Sequence, residues 1–353
     1  MFVLKGYSIH FATSGLIPTF DSAGNSIVKS DSYIEKPLHD KLMQAFDALR
    51  ADQGDNVDWH PRSNDMVQDL VHPSMYPFCY GRTNFIQEEL VGVHDAVDHV
   101  GKGATIAKDE QPESDDVFWS TTYQWLPANI SFRDDGTVRF TSYVNNLNPD
   151  KFPEIYDTLE RLIDKAIPAW GQCLHEYTSW KKGPVAGRVD SRFHEITEAS
   201  DSDDSLWAPE LDVVNFTDID VNLTHEELAE LEDMAFEDRH IARAKWEKVR
   251  EAKLPEPRDF EGIDYAPMQS LRQKFQENGL QVIVKMASIE LTPEKPEFPA
   301  GGWHLEGQMN EKICATALYY IDSENVTPSH LSFRRQTNSS LNDRIHAKQD
   351  DYN

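Results

Sequence analysis

The sequence predicts an α+β chain: N-terminal helices and an antiparallel β-hairpin, then an acidic helical insertion, then part of a β-sandwich. Three observations predict it. Apolar residues recur at helical spacing in two stretches of the first half. One stretch alternates with period two around an Asp-Gly turn. The last third holds short apolar runs separated by a Pro/Gly-rich loop.

The first helix is expected over Pro37 to Ala51, where Leu38, Leu42, Phe46 and Leu49 fall on one stripe. The hairpin is expected at Asn129 to Phe140. Ile130 and Phe132 alternate on one arm and Val138 and Phe140 on the other, with Asp135-Gly136 supplying the positive-φ turn. A second helix is expected over Phe152 to Tyr177, carrying Ile155, Leu159, Leu162, Ile163, Ala166 and Trp170, with a kink at Pro168.

The insertion is acidic. Between Glu195 and Asp238 lie 16 Asp or Glu and no Lys or Arg, within a chain of net charge −27. Its later part shows a capping box, Thr224 with Glu227, and a staple of Leu223 on Leu228. Leu254-Pro-Glu-Pro257 ends that helix. Beyond it, Gln281 to Leu291 reads as a strand, a short strand is expected around His304, and Ile313 to Ile321 (ICATALYYI) reads as a strand apolar on both faces. The organisation expected is a mixed helical region over 1–118, hairpin and long helix over 119–194, acidic insertion over 195–257, and a sandwich segment over 258–353.

Charge and composition exclude classes of function. A net charge of −27 opposes a nucleic-acid or anionic-membrane footprint, both of which need a basic face. No apolar run approaches the roughly 18 residues of a spanning helix, and Lys5 interrupts the N-terminal apolar start, so a soluble, cytoplasmic protein is expected. Cys79, Cys173 and Cys314 are too dispersed for a disulfide framework or a metal clip. The acidic stretch over 195–238 is either a solvated face or a docking surface for a basic protein partner.

Most enzyme signatures are missing. There is no P-loop and no nucleophile elbow. Gly101-Lys-Gly103 lacks the third glycine of a dinucleotide fingerprint, and His225-Glu226 is followed by Ala229 where a zinc helix needs His. One constellation survives, Gly301-Gly-Trp-His-Leu-Glu-Gly307. On extended backbone His304 and Glu306 project from one face while Trp303 and Leu305 pack behind. One imidazole and one carboxylate make two-thirds of the facial triad that holds non-haem Fe(II). A solvated, hydrogen-bonded pair is the other reading of the same spacing.

Longer blocks carry a resemblance. LTPEKPEFPAGGWHLEG (Leu291 to Gly307), ALYYIDSENVT (Ala317 to Thr327) and LSFR (Leu331 to Arg334) resemble a large, mainly fungal family known as domain of unknown function 4246. SIVKSD from Ser26, DLVHPS from Asp69, YGR from Tyr80, YQWLP from Tyr123 and SYVNNLNP from Ser142 resemble its earlier blocks in the same order. The C-terminal half of that family is similar to the jelly-roll-like double-stranded β-helix of Fe(II)/2-oxoglutarate oxygenases. The resemblance implies that His304 and Glu306 are the first two metal ligands. It also implies Fe(II) and 2-oxoglutarate as cofactors and hydroxylation of a C–H bond as the reaction. Tyr319 and Arg334 are candidate co-substrate contacts, with core packing of the tyrosine and a carboxylate partner for the arginine as the plainer alternatives.

The chain departs from that pattern after Glu306. Only 47 residues follow, room for about four strands at roughly 10–12 residues each, and the stretch from Gln336 is polar. The family's second His lies in a continuation past Gln349-Asp-Asp351, so the chain reads as a shortened member. His330 is expected in a loop, and His346 is expected solvated in the polar tail. The expectation is an oxygenase-like protein, weakly active or inactive as given, on an unknown small-molecule or protein substrate. The alternative is a non-catalytic scaffold that docks through its acidic insertion.

Overall fold

Leu38, Leu42, Ala45 and Leu49 recur every three or four residues, and burying that stripe makes 36–53 a helix. In the computed structural model this is α2, Lys36–Gln53, with Pro37 in its first turn and Gly54 at its C-cap. Residues 2–19, 27–108, 118–174, 222–226, 229, 269–299 and 301–334 are described. The chain divides into two units, Met1–Gly183 with Gly262–Val326, and Pro184–Glu261 with Thr327–Asn353.

Within the first unit, α1 is Phe2–Ser14, a helix the apolar pattern did not announce, and β1 (Ile17–Pro18) pairs with β2 (Val28–Lys29). The hairpin forms as β8, Ala128–Phe132, and β9, Val138–Phe140, in antiparallel register Ile130↔Phe140 and Phe132↔Val138. Gly136 takes φ +81° in its turn. The second helix is α3, Pro153–Cys173, running through Pro168. Beyond it, α4 (Leu271–Lys274) opens with a capping box from Ser270 and Gln273.

The expected strand 281–291 is two strands. β10 (Leu280–Val282) pairs with β8, making the three-stranded order β10-β8-β9, whereas β11 (Met286–Ile289) leaves to pair with β3 (Val67–Val71). Two small ribbons complete the unit: β4 (Phe78–Cys79) with β7 (Tyr123–Gln124), and β5 (Asn84–Phe85) with β6 (Ala104–Thr105). One core joins α2 and α3 to the sheets through Ala45, Leu49, Val71, Ile130, Val138, Leu147, Leu159 and Ile167. β9 is a sheet edge, and its free amides are taken by α3: Glu160 accepts from Phe140 N at 2.8 Å and Asp164 from Val138 N at 3.2 Å. An edge so covered presents no template for a foreign strand.

The sandwich expectation needs correction. Among the described residues the sheets are small and antiparallel, and none closes into a barrel. Residues 313–321 form no strand, and neither do those around His304. Leu318 and Tyr320 stand exposed while 313, 315, 319 and 321 are half-buried. A strand is held by a neighbour that satisfies its amides and covers its second face, and among the described residues none pairs with this run. Most of the acidic insertion lies outside the described residues. Of its expected helix, 225, 226 and 229 are helical, directly after Thr224. Among the described residues no helix is long and apolar enough to cross a membrane.

Candidate functional site

His304 and Glu306 do face one another. Nε2 of His304 lies 3.2 Å from Oε1 of Glu306, and both side chains are more than half exposed. The other ring nitrogen, Nδ1, lies 2.9 Å from the Gly302 carbonyl. A carbonyl only accepts, so Nδ1 carries the proton, and the neutral ring turns a lone pair on Nε2 toward a carboxylate oxygen. Two lone pairs at that distance repel unless a cation lies between them. A proton fills the role: the Gly302 bond, then the Glu306 bond, raise the His304 pKa above the usual histidine value. A metal ion is the other cation that fits, and Nδ1–H bonded to a backbone carbonyl is the usual support of a ligating imidazole.

The loop after the pair is pinned to the β7 region. Asn310 exchanges two hydrogen bonds with the Ser120 backbone at 2.8 and 3.0 Å, and Glu311 accepts from Trp125 N at 2.8 Å. Gly307 sits at φ +85°, a backbone conformation that L side chains rarely adopt, so glycine suits this turn. Trp303 and Leu305, expected to pack behind the pair, are exposed at 56% and 59%, and among the described residues no sheet forms beneath them. Among the described residues, no third His, Cys, Asp or Glu joins His304 and Glu306 in a metal-competent group.

Tyr319 places its hydroxyl 3.0 Å from Nδ1 of His39 on α2, and burial raises its phenol pKa. Arg334 and His330 are exposed and belong to the second unit.

A second constellation was not legible in the sequence: His60, Asp69 and His72, whose donor atoms lie within 4.8 Å of one another. Asp69 is on β3, and residues 58–60 run antiparallel beside it. His60 N bonds Val67 O and Asp69 N bonds Asp58 O, both at 2.8 Å, which sets His60 and Asp69 on one face. His72 would be turned away by strict alternation. A bulge corrects it: Met286 pairs with Val71 but Ala287 pairs with Asp69, so Leu70 is an extra residue and position 72 returns to the face of 69. Gln53, the last residue of α2, braces the cluster by donating to Asp69 O at 2.7 Å and accepting from Asp58 N at 3.1 Å.

Nδ1 of His60 is 2.8 Å from Asp69 Oδ2, and Nε2 of His72 is 4.0 Å from Asp69 Oδ1. Burial holds the His72 pKa below its usual value, against the Asp69 charge. Burial, reinforced by Asp69, raises the carboxyl pKa of Asp58 beside them. The Lys285 ammonium stands within electrostatic reach of both His72 and His304 and disfavours protonation of each.

The fold and these side chains define a mixed helix-and-sheet protein with two histidine–carboxylate constellations in its first unit. The chain belongs to the family described as protein of unknown function DUF4246, whose profile matches residues 2–353. No curated protein and no solved structure matches it.

Proposed function

We propose that the chain carries part of an Fe(II)/2-oxoglutarate-type oxygenase site, with His304 and Glu306 as two of the metal ligands. One observation carries the reading: the Nε2 lone pair of His304 faces a Glu306 oxygen across 3.2 Å while Nδ1 is committed to Gly302. When bound, Fe(II) with 2-oxoglutarate supplies oxidative C–H hydroxylation. The protein's part is to hold the imidazole in its Nδ1–H form, set the carboxylate beside it, and offer positive charge to an anionic co-substrate. Lys285 is a basic group within electrostatic reach of His304, and Tyr319 is the candidate co-substrate contact that lies in the same unit.

Two protein ligands on an open surface hold a divalent ion loosely, so turnover is slow and metal affinity poor. The test is titration of the anaerobic protein with Fe(II) and 2-oxoglutarate, following the visible charge-transfer band of the chelate, with succinate release measured in air. A weak band that disappears in His304→Ala and in Glu306→Gln is expected. A band of equal strength in the wild type and both variants would sink the assignment.

A further inference from the structure

We propose that His60, Asp69 and His72 form a second, buried site for a divalent transition-metal ion, separate from His304 and Glu306. Two polar atoms in the cluster have no hydrogen-bond partner among the described residues, Asp69 Oδ1 and His72 Nε2. They belong to side chains 6% and 7% exposed and face each other across 4.0 Å. Buried polar atoms are seldom left so, and two complementary ones around one gap mark a place for a small polar guest.

The spacing suits a metal. Ligand atoms about 2.0–2.1 Å from a tetrahedral zinc ion lie roughly 3.3 Å from one another. The separations here are 2.8 Å from His60 Nδ1 to Asp69 Oδ2 and 4.0 Å from Asp69 Oδ1 to His72 Nε2, and one donor atom from each residue fits within 4.8 Å of the others, so a small closure brings the three to that figure. Two imidazoles with one carboxylate select zinc or another first-row ion over calcium or magnesium, which prefer oxygen alone. The His60 side chain, 39% exposed, gives the ion a way in and leaves room for a water as fourth ligand. The β3 bulge and the Gln53 brace hold the three donors in place without the ion.

One hydrogen bond opposes entry. Ser74 N donates to Nδ1 of His72 at 3.1 Å, which puts the ring proton of the metal-free chain on Nε2. The incoming ion takes Nε2: the ring proton moves to Nδ1 and the Ser74 bond is lost, while His60 offers Nδ1 by carrying its own proton on Nε2. That exchange weakens binding by roughly tenfold relative to a ring already in the ligating tautomer.

Zinc titration of the full chain by calorimetry, in the His304→Ala/Glu306→Gln background, isolates the site. One equivalent is expected there, weakened at least tenfold by Asp69→Asn and by His60→Gln. His60 is half-exposed, so its variant decides the matter even where Asp69→Asn disturbs the fold. No zinc bound in that background, or equal affinity in all three proteins, overturns the proposal and leaves the gap to a water molecule. One equivalent retained there alongside no iron–2-oxoglutarate band in the wild type keeps this site and removes only the oxygenase reading.

Discussion

Replacing Tyr156 by Phe takes one oxygen from the core and strands two backbone groups. The Tyr156 hydroxyl accepts from Val144 N at 3.0 Å and donates to Leu147 O at 2.9 Å. Tyr156, Val144 and Leu147 are all buried, so water does not substitute. The phenylalanine ring keeps the edge-to-face contact with Phe140, whose centroid is 5.4 Å away, and the variant therefore isolates the hydroxyl. A buried donor or acceptor left unpaired costs about 1–3 kcal/mol, so the two together should cost about 2–4 kcal/mol. Burial pushes this phenol far above the usual tyrosine range. It remains a donor at any working pH, and the deficit should be the same at pH 6 and pH 9. Urea unfolding followed by tryptophan fluorescence measures it, with an unchanged m-value showing that the exposed surface is unaltered. A loss below about 0.5 kcal/mol at constant m would refute the argument that these two groups depend on Tyr156.

Gly279→Ala should be severe. The glycine sits at φ +67° and a Cβ would fall 2.0 Å from the Ile130 carbonyl oxygen in the central strand, so a loss of about 3 kcal/mol or more is expected, and an unchanged melting temperature would contradict it. Arg272→Met removes an ion pair to Asp164 at 2.8 Å and bonds to the Gly136 and Asp164 carbonyls, which tie α4 to the hairpin turn and α3. A loss of about 1–3 kcal/mol is predicted, and one under 0.3 would count against that tie. His99 donates Nδ1 to the Asp95 carbonyl at 2.8 Å, which raises its pKa, with a smaller contribution from Glu89. The folded form therefore binds the proton more tightly than the unfolded one. The contribution to the 84–105 loop is complete below the ordinary histidine value and disappears as pH rises through the folded pKa. A proton-NMR titration should place His99 above 6.5, with Glu89→Gln lowering it. A midpoint at or below 6.5 would show that the Asp95 bond is not made.

What was legible in the sequence is what is local. Period 3.6 gave α2 and α3, and period 2 around Asp135-Gly136 gave the hairpin to within a residue, because each pattern has one backbone form that buries its apolar face. The i, i+2 spacing of His304 and Glu306 likewise sufficed to bring them to 3.2 Å, a distance that needs no distant partner. The same reasoning failed for 313–321, whose apolar run matches a strand but finds no pairing neighbour among the described residues.

The second constellation shows the limit most plainly. His60, Asp69 and His72 carry no recognisable spacing, and Asp69 and His72 three apart on a strand should face opposite ways. Only the pairing of β3 with β11, more than two hundred residues away in sequence, creates the bulge at Leu70 that turns them together. The sequence by itself determined α2, α3, the hairpin and the closeness of His304 to Glu306, since local backbone geometry and, for the elements, one buried face decide those. The tertiary structure alone decided which polar side chains share a buried space, because strand register is a long-range choice and one extra residue in it reverses every side chain beyond.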